Sequence, residues 1–147
     1  MNIYLDTCCF NRPFDDQSSI RVKLETDAKL YIQEIIRNKI LDLTWSYILE
    51  FENSMNPYKN KRERIAAWKV LTVQTAYETP EIVAHAKTFQ THGAHKKDAI
   101  HLACAVALQC EYFITTDKSL LNKRRFFQPL QVMNPVEFVT DVLEGTP

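Results

Sequence analysis

Three short apolar runs bounded by polar residues alternate with longer segments of helical periodicity, and this alternation leaves the chain few folds to choose from. The runs are Ile3-Tyr4-Leu5, Leu41 to Trp45 and Tyr112 to Thr115, with a weaker fourth at Leu130 to Met133. Continuous apolarity over so few residues marks strands buried on both faces. Ser18 or Ser19 is placed to cap a helix reaching about Asn38, in which Ile20, Leu24, Ala28, Tyr31, Ile32, Ile35 and Ile36 recur at helical spacing. Further helices are predicted over Tyr47 to Met55, from about Lys59 to Val73 behind Pro57, from Pro80 to a stop before Gly93, over Lys96 to Gln109, and from Pro135 to about Leu143. Strands separated by helices imply right-handed crossovers and one parallel sheet covered on both faces, an α/β fold. At 147 residues this is a single domain, residues 1–147.

Several function classes fall on composition. The chain has only two glycines, Gly93 and Gly145, so neither GxGxxG nor a Walker loop can be written, and turn-rich sandwiches and barrels are disfavoured. Lys+Arg and Asp+Glu each number 18, so any contact with nucleic acid must come from a local patch. The longest apolar stretch, Ile100 to Leu108, contains His101 and falls far short of the roughly 20 residues that span a bilayer. The opening Met-Asn-Ile-Tyr-Leu-Asp has no basic region or apolar run of a secretory signal, which makes a cytoplasmic location the expectation. Cys8, Cys9, Cys104 and Cys110 form no CxxC pair and read as small buried thiols; a zinc site with His85, His92 and His95 lacks close ligand spacing.

The acids carry the chemistry. Asp6 follows the first strand and Asp117 follows the third, so both stand at the C-terminal ends of parallel strands, where ligands bind in open α/β sheets. Asp98 lies in the first turn of an otherwise apolar helix. Glu50 lies on the short helix after the second strand, in a polar stripe with Asn53 and Ser54 and away from Ile48, Phe51 and Met55. Glu52 points about 160° away from Glu50 on the wheel, so only one of the pair faces the site. Carboxylates gathered in one crevice raise one another's pKa unless a cation joins them, and hard oxygen donors select Mg²⁺ or Mn²⁺. Such a site suits phosphodiester hydrolysis.

Four segments, Ile3-Tyr4-Leu5-Asp6-Thr7, Leu43 to Glu50, Asp98-Ala99-Ile100-His101-Leu102-Ala103 and Phe113-Ile114-Thr115-Thr116-Asp117, resemble the four acidic motifs of PIN-domain ribonucleases in order and separation across nearly the whole chain. The resemblance implies a three-layer α/β/α Rossmann-like PIN domain with a central parallel sheet, and a metal-dependent endoribonuclease using Mg²⁺ or Mn²⁺. It implies that Asp6, Glu50, Asp98 and Asp117 are the catalytic and metal-holding quartet, with Thr7, Thr115 and Thr116 as hydroxylated neighbours. Cys8 stands where many members have Asn, and Ser119 where some carry a further acid. The LDTCCFNRPFDDQ opening resembles a VapC-like subgroup rich in toxins of toxin–antitoxin pairs, which implies an antitoxin partner and a homodimer.

Basic residues are distributed unevenly. Lys59, Lys61, Arg62, Arg64 and Lys69 face only Glu63 in their stretch, and Lys123, Arg124 and Arg125 form a second cluster close after Asp117; with Tyr58, Trp68, Phe126 and Phe127 they offer phosphate contacts and stacking surfaces. Arg12, Arg124 and Arg125 are the expected contacts to RNA phosphates. His101, one turn after Asp98, reads as a packed, hydrogen-bonded histidine beneath the site. Two other readings are open at this point. One is a PIN-like RNA-binding or assembly module without turnover. The other, a haloacid-dehalogenase-type phosphatase, expects a second Asp where the chain has Cys8.

Overall fold

Five strands form one sheet in the computed structural model of the protein, which describes residues 1–144. They are β1 (Asn2–Leu5), β2 (Asp42–Ser46), β3 (Gln74–Ala76), β4 (Tyr112–Ile114) and β5 (Gln131–Met133), in the order β3-β2-β1-β4-β5 with every neighbouring pair parallel. The helices are α1 (Thr7–Asn11), α2 (Ile20–Arg37), α3 (Tyr47–Ser54), α4 (Lys59–Ala66), α5 (Pro80–Thr91), α6 (Lys96–Ala107), α7 (Lys118–Asn122) and α8 (Pro135–Glu137), the last continuing as a π-type turn through Leu143. Tight 3₁₀ turns cover Arg12–Phe14, Ala67–Leu71 and Arg124–Phe126. Among the described residues no helix is long and apolar enough to cross a membrane.

Ile3, Tyr4 and Leu5 of β1 and Phe113 and Ile114 of β4 are fully buried, as uninterrupted apolar runs in the middle of a parallel sheet should be. Helix starts follow their caps. Ser19 accepts from the Val22 amide, Ser46 from Leu49 and Thr79 from Ile82, and Asn134 with Glu137 closes a capping box at α8. The predicted helix from Lys59 to Val73 is shorter than expected: α4 ends at Ala66 and the chain tightens into a 3₁₀ turn. Three helices or strands escape the sequence reading, one of them the five-residue α7 capped by Asp117. β3 is a three-residue edge strand of mixed polarity paired only with β2, and α1 is a single turn started by the Asp6 side chain accepting from the Thr7 amide.

The face of α2 also differs from expectation. Its buried residues are Glu25, Thr26, Lys29, Ile32, Gln33 and Ile36. Ile20, Leu24 and Tyr31 are 79%, 53% and 42% exposed and cluster on the opposite side of the wheel. The apolar residues of this helix therefore make two stripes, and four of the six buried residues on the inward face are polar. Glu25, 1% exposed, explains the inversion. It accepts from Arg12 Nε at 3.0 Å and Nη2 at 2.8 Å, lies 3.4 Å from Arg21 Nε, and takes a further hydrogen bond from Asn134 Nδ2. One buried carboxylate thus ties α2 to the Arg12 turn and to the cap of α8. Removing one member of a buried charge network leaves the others desolvated and unpaired. Glu25→Ala is expected to cost about 3 kcal/mol in urea unfolding, and a loss below about 1 kcal/mol would show that the network does not support the fold.

Candidate active site

Parallel pairing places Leu5 opposite Ile114, so the residues that follow, Asp6 and Thr115 to Asp117, emerge side by side where the sheet changes direction. The Asp6 amide continues the pairing onto the Ile114 carbonyl at 2.9 Å. Beyond it, Thr115 is fully buried, and its hydroxyl donates to Asp6 Oδ2 at 2.9 Å while accepting from the Asp117 amide at 3.1 Å. One hydroxyl fixes the positions of two acids. Asp6 Oδ1 accepts from the Thr7 amide at 2.8 Å, and Cys8 Sγ stands 3.5 Å from Oδ2. Asp117 Oδ1 caps α7 through the Ser119 and Leu120 amides, and Oδ2 has no hydrogen-bond partner among the described residues.

Asp98 in the first turn of α6 completes the group of aspartates. Burial, followed by the neighbouring charges of Asp6 and Asp117, pushes its carboxyl up to about 6. Asp98 therefore lies within electrostatic reach of Asp6 and Asp117, and the three charges repel one another.

Glu50 does not join them. Its Oε2 accepts from Trp45 Nε1 at 2.8 Å and lies 3.5 Å from Lys69 Nζ on the outer side of α3. Glu52 takes the place expected of Glu50. The physical reason is the Ser46 cap, which starts α3 so that Ile48, Leu49 and Asn53 turn inward while Phe51 and Met55 are 49% and 69% exposed; Glu52 lies on the inner side. It hydrogen-bonds His101 Nε2, and that nitrogen lies 3.8 Å from Asp6 Oδ1. His101 Nδ1 lies 2.6 Å from the Tyr4 hydroxyl, which is 2.5 Å from Ser46 Oγ. Burial opposes charge on His101, but the Glu52 hydrogen bond and the field of Asp6 outweigh it and hold the imidazole above its ordinary pKa. Burial likewise raises Glu52, and the bond to His101 reverses that, leaving the carboxylate below its ordinary value. A charged His101 donates from both nitrogens, which fits Tyr4 donating onward to Ser46. The clue in the sequence was His101 itself: a buried histidine on an apolar helix needs a partner, and Glu52 is within reach of it whereas Glu50 is not.

The expected substrate contacts divide. Thr7 lines a groove of about 410 Å³ together with Glu52, Asn56, Tyr58 and Lys61, and the Lys61 ammonium lies 4.4 Å over the Tyr58 ring. Thr115 and Thr116 are buried; Thr115 positions the acids, and the Thr116 amide lies 3.4 Å from Cys8 Sγ. Arg12 is held by Glu25 and Asp15, and Arg124 by Glu137 at 3.1 Å. Arg125 lies over Phe126 and, with Arg124, lines a separate hollow beside β5. These three arginines are corrected from phosphate contacts to structural or peripheral residues. Arg21, which the sequence did not single out, donates to the Thr116 carbonyl at 2.8 Å, next to Asp117.

The donor set of Asp6, Asp98, Asp117 and Glu52 is all oxygen and mutually repulsive, which fits a hard divalent cation that keeps several waters and uses few carboxylates. Among the described residues no group of three or more His, Cys, Asp or Glu side chains is placed, as the side chains stand, to hold a metal ion.

No family model and no curated protein matches the chain. Solved structures do. FitAcB from Neisseria gonorrhoeae is 19% identical over 90% of this chain and 97% of that one, with a TM-score of 0.56. VapBC2 from Rickettsia felis, bound to a DNA fragment from their promoter, is 12% identical over 91% and 98%, with 0.59. VapBC-1 from nontypeable Haemophilus influenzae is 16% identical over 92% and 98%, with 0.56.

Likeness at this identity carries the fold alone, and it corrects two expectations. Assignment to the PIN-domain ribonuclease family and its VapC-like subgroup does not stand, since no family model supports it and the similar structures are named only as FitAcB, VapBC2 and VapBC-1. The three-layer PIN designation falls with it. What stands is an α/β chain, richer in helix than in strand, around one five-stranded all-parallel sheet.

The raised carboxyl of Asp98 gives this site a measurable cost. Between its ordinary 3.8 and about 6 the unfolded chain has released a proton that the folded chain keeps, so the Asp98 contribution lowers stability as pH rises through that window. Asp98→Asn is expected to stabilise the metal-free protein by about 1–2 kcal/mol at pH 7, a figure reduced for partial exposure, with the difference vanishing below about pH 4. Equal stability of the two proteins at pH 7 would contradict the crowding of these acids.

Proposed function

We propose that the protein is a metal-dependent endoribonuclease that uses Mg²⁺ or Mn²⁺, and that it acts as the toxic component of a toxin–antitoxin pair. The observation that carries the hydrolytic reading is the juxtaposition of the strand-end acids Asp6 and Asp117 through Thr115, with Asp98 driven up by the charges of both. A divalent cation bound by Asp6, Asp98 and Asp117 supplies positive charge for the phosphoryl oxygens and acidifies water. The chain's own residues do the rest. Thr115 keeps Asp6 and Asp117 in register, and His101 holds Glu52 ionised at the rim. Tyr58 and Lys61 on one side of Glu52, and Phe51 with Lys97 5.6 Å over its ring, pair an aromatic face with a cation, the combination that stacks bases and neutralises phosphates of a single strand.

Support for a protein partner comes from two sides. The similar structures include VapBC2 bound to promoter DNA, and the outer stripe of α2, Ile20, Leu24 and Tyr31, leaves apolar surface in water. We assign that stripe to association with a second copy or with an antitoxin. One observation favours a different reading, an RNA-binding or assembly module without turnover: the acids form no closed ligand cage among the described residues.

The test is cleavage of single-stranded RNA by the purified chain with Mg²⁺ or Mn²⁺. With water as the nucleophile and the 2′-OH uninvolved, products are expected to carry a 5′-phosphate and a 3′-hydroxyl. Asp6→Asn is expected to lower the rate by about a hundredfold or more, and Glu52→Gln by about tenfold, with Glu50→Gln within about threefold of the parent. Tyr58→Ala is expected to raise KM by about threefold to tenfold with little change in kcat. Undiminished cleavage by Asp6→Asn in excess chelator would refute the mechanism, and RNA binding without cleavage under any divalent ion would establish the module reading. Light scattering is expected to give a dimer that Leu24→Glu dissociates; a monomeric parent would remove the self-association claim.

A further inference from the structure

A cavity of about 540 Å³ lies between α2 and the 3₁₀ turns at Arg12–Phe14 and Ala67–Leu71, and none of the active-site acids lines it. Its walls include Phe10, Phe14, Ile65 and Trp68, and it is entered by Lys29 and Gln33 from the inner face of α2. Lys29 is 3% exposed, yet among the described residues it has neither a carboxylate within ion-pair distance nor a hydrogen bond. Its ammonium instead lies 5.4 Å over the Phe10 ring and 5.7 Å over the Trp68 ring. Gln33 is 4% exposed, and its Nε2 has no hydrogen-bond partner among the described residues. Two donors one helical turn apart thus line the same cavity, and Gln33 Nε2 is buried there without an acceptor.

Burial without a partner is costly for an ammonium and, less so, for an amide. Burial, reinforced by Arg37, pushes Lys29 down to about 7, so the site holds its proton weakly when empty. An occupant that brings an acceptor removes both penalties together. The aromatic walls, Phe10, Phe14 and Trp68, favour a flat apolar body, and the volume lies in the range of small-molecule pockets, roughly 300–1,000 Å³. A single compact acceptor group matches the ammonium of Lys29 and the amide of Gln33; of the two arginines that also line the cavity, Arg37 is already stacked 4.7 Å over Trp68, and Arg64 adds positive charge that favours an anion.

We propose that this cavity is a binding site for a small aromatic carboxylate, with the carboxylate between Lys29 Nζ and Gln33 Nε2 and the rings against Phe10, Phe14 and Trp68. The site is separate from the acid crevice and does not depend on what that crevice does.

Calorimetric titration with 2-naphthoate and with its neutral counterpart 2-naphthamide tests the assignment. The carboxylate is expected to bind the parent protein at least about tenfold more tightly than the amide. Lys29→Met keeps the length of the side chain and removes the charge; it is expected to lose about tenfold or more in naphthoate affinity while leaving naphthamide affinity unchanged. Gln33→Leu is expected to lose several-fold on naphthoate alone. Equal affinity of the parent for the two probes, absence of binding by both, or full naphthoate affinity in a folded Lys29→Met protein would each overturn the proposal. Should Lys29→Met fail to fold, the comparison of the two probes on the parent protein still decides it.

Discussion

The hydroxyl of Thr115 is the contact on which the arrangement of the site depends. It donates to the Asp6 carboxylate and accepts from the Asp117 amide, and it does so from a fully buried position fixed by the parallel pairing of β1 with β4. Backbone pairing brings two strand ends together to within about 5 Å as a matter of sheet geometry. What it does not supply is the orientation of the side chains beyond the last paired residue. Thr115 supplies that orientation, and the caps that Asp6 and Asp117 form on α1 and α7 complete it.

The same geometry creates a conflict that the fold tolerates. Asp98 enters from α6 into the field of Asp6 and Asp117 and is driven toward protonation. His101, one turn further along α6, offsets part of that field with a charge held by Glu52 and Asp6, and its other nitrogen is occupied by Tyr4 from within the sheet. Positive charge buried beneath a ring of carboxylates lets them coexist without closing the opening between them. Other buried polar groups are satisfied by networks, as Glu25 is by Arg12, Arg21 and Asn134; Gln33 Nε2 and Asn53 Oδ1 are the contrast among the described residues, buried without a hydrogen-bond partner, and Gln33 faces a cavity with Lys29.

Strand positions were legible because continuous apolar runs such as Ile3-Tyr4-Leu5 have no stable place except the middle of a sheet, and the aspartates were legible because they directly follow those runs. β3 was not, since Gln74-Thr75-Ala76 is a short edge strand whose ladder is made with the backbone of β2 and leaves no apolar signature. On α2 the apolar residues divide between two faces, and a periodicity that counts hydrophobic residues cannot register a buried Glu25 or Lys29. The choice of Glu50 over Glu52 failed for a related reason. The wheel assumed that Phe51 and Met55 point inward, whereas the Ser46 cap sets the phase of α3 and exposes both. Arg12 was placed near the acids by its distance along the chain from Asp6, but a buried Glu25 holds it. Family assignment from the four motifs went beyond what the comparisons support, which is the α/β fold.

The central claim is that Asp6, Asp98 and Asp117 form a site for one hard divalent cation, and anomalous diffraction from crystals soaked in Mn²⁺ tests it most directly. The account predicts a strong anomalous peak in the crevice, with oxygens of at least two of these aspartates at about 2.1–2.3 Å from it and waters completing the shell. An empty crevice at saturating Mn²⁺, with the three carboxylates in the same places, would contradict it.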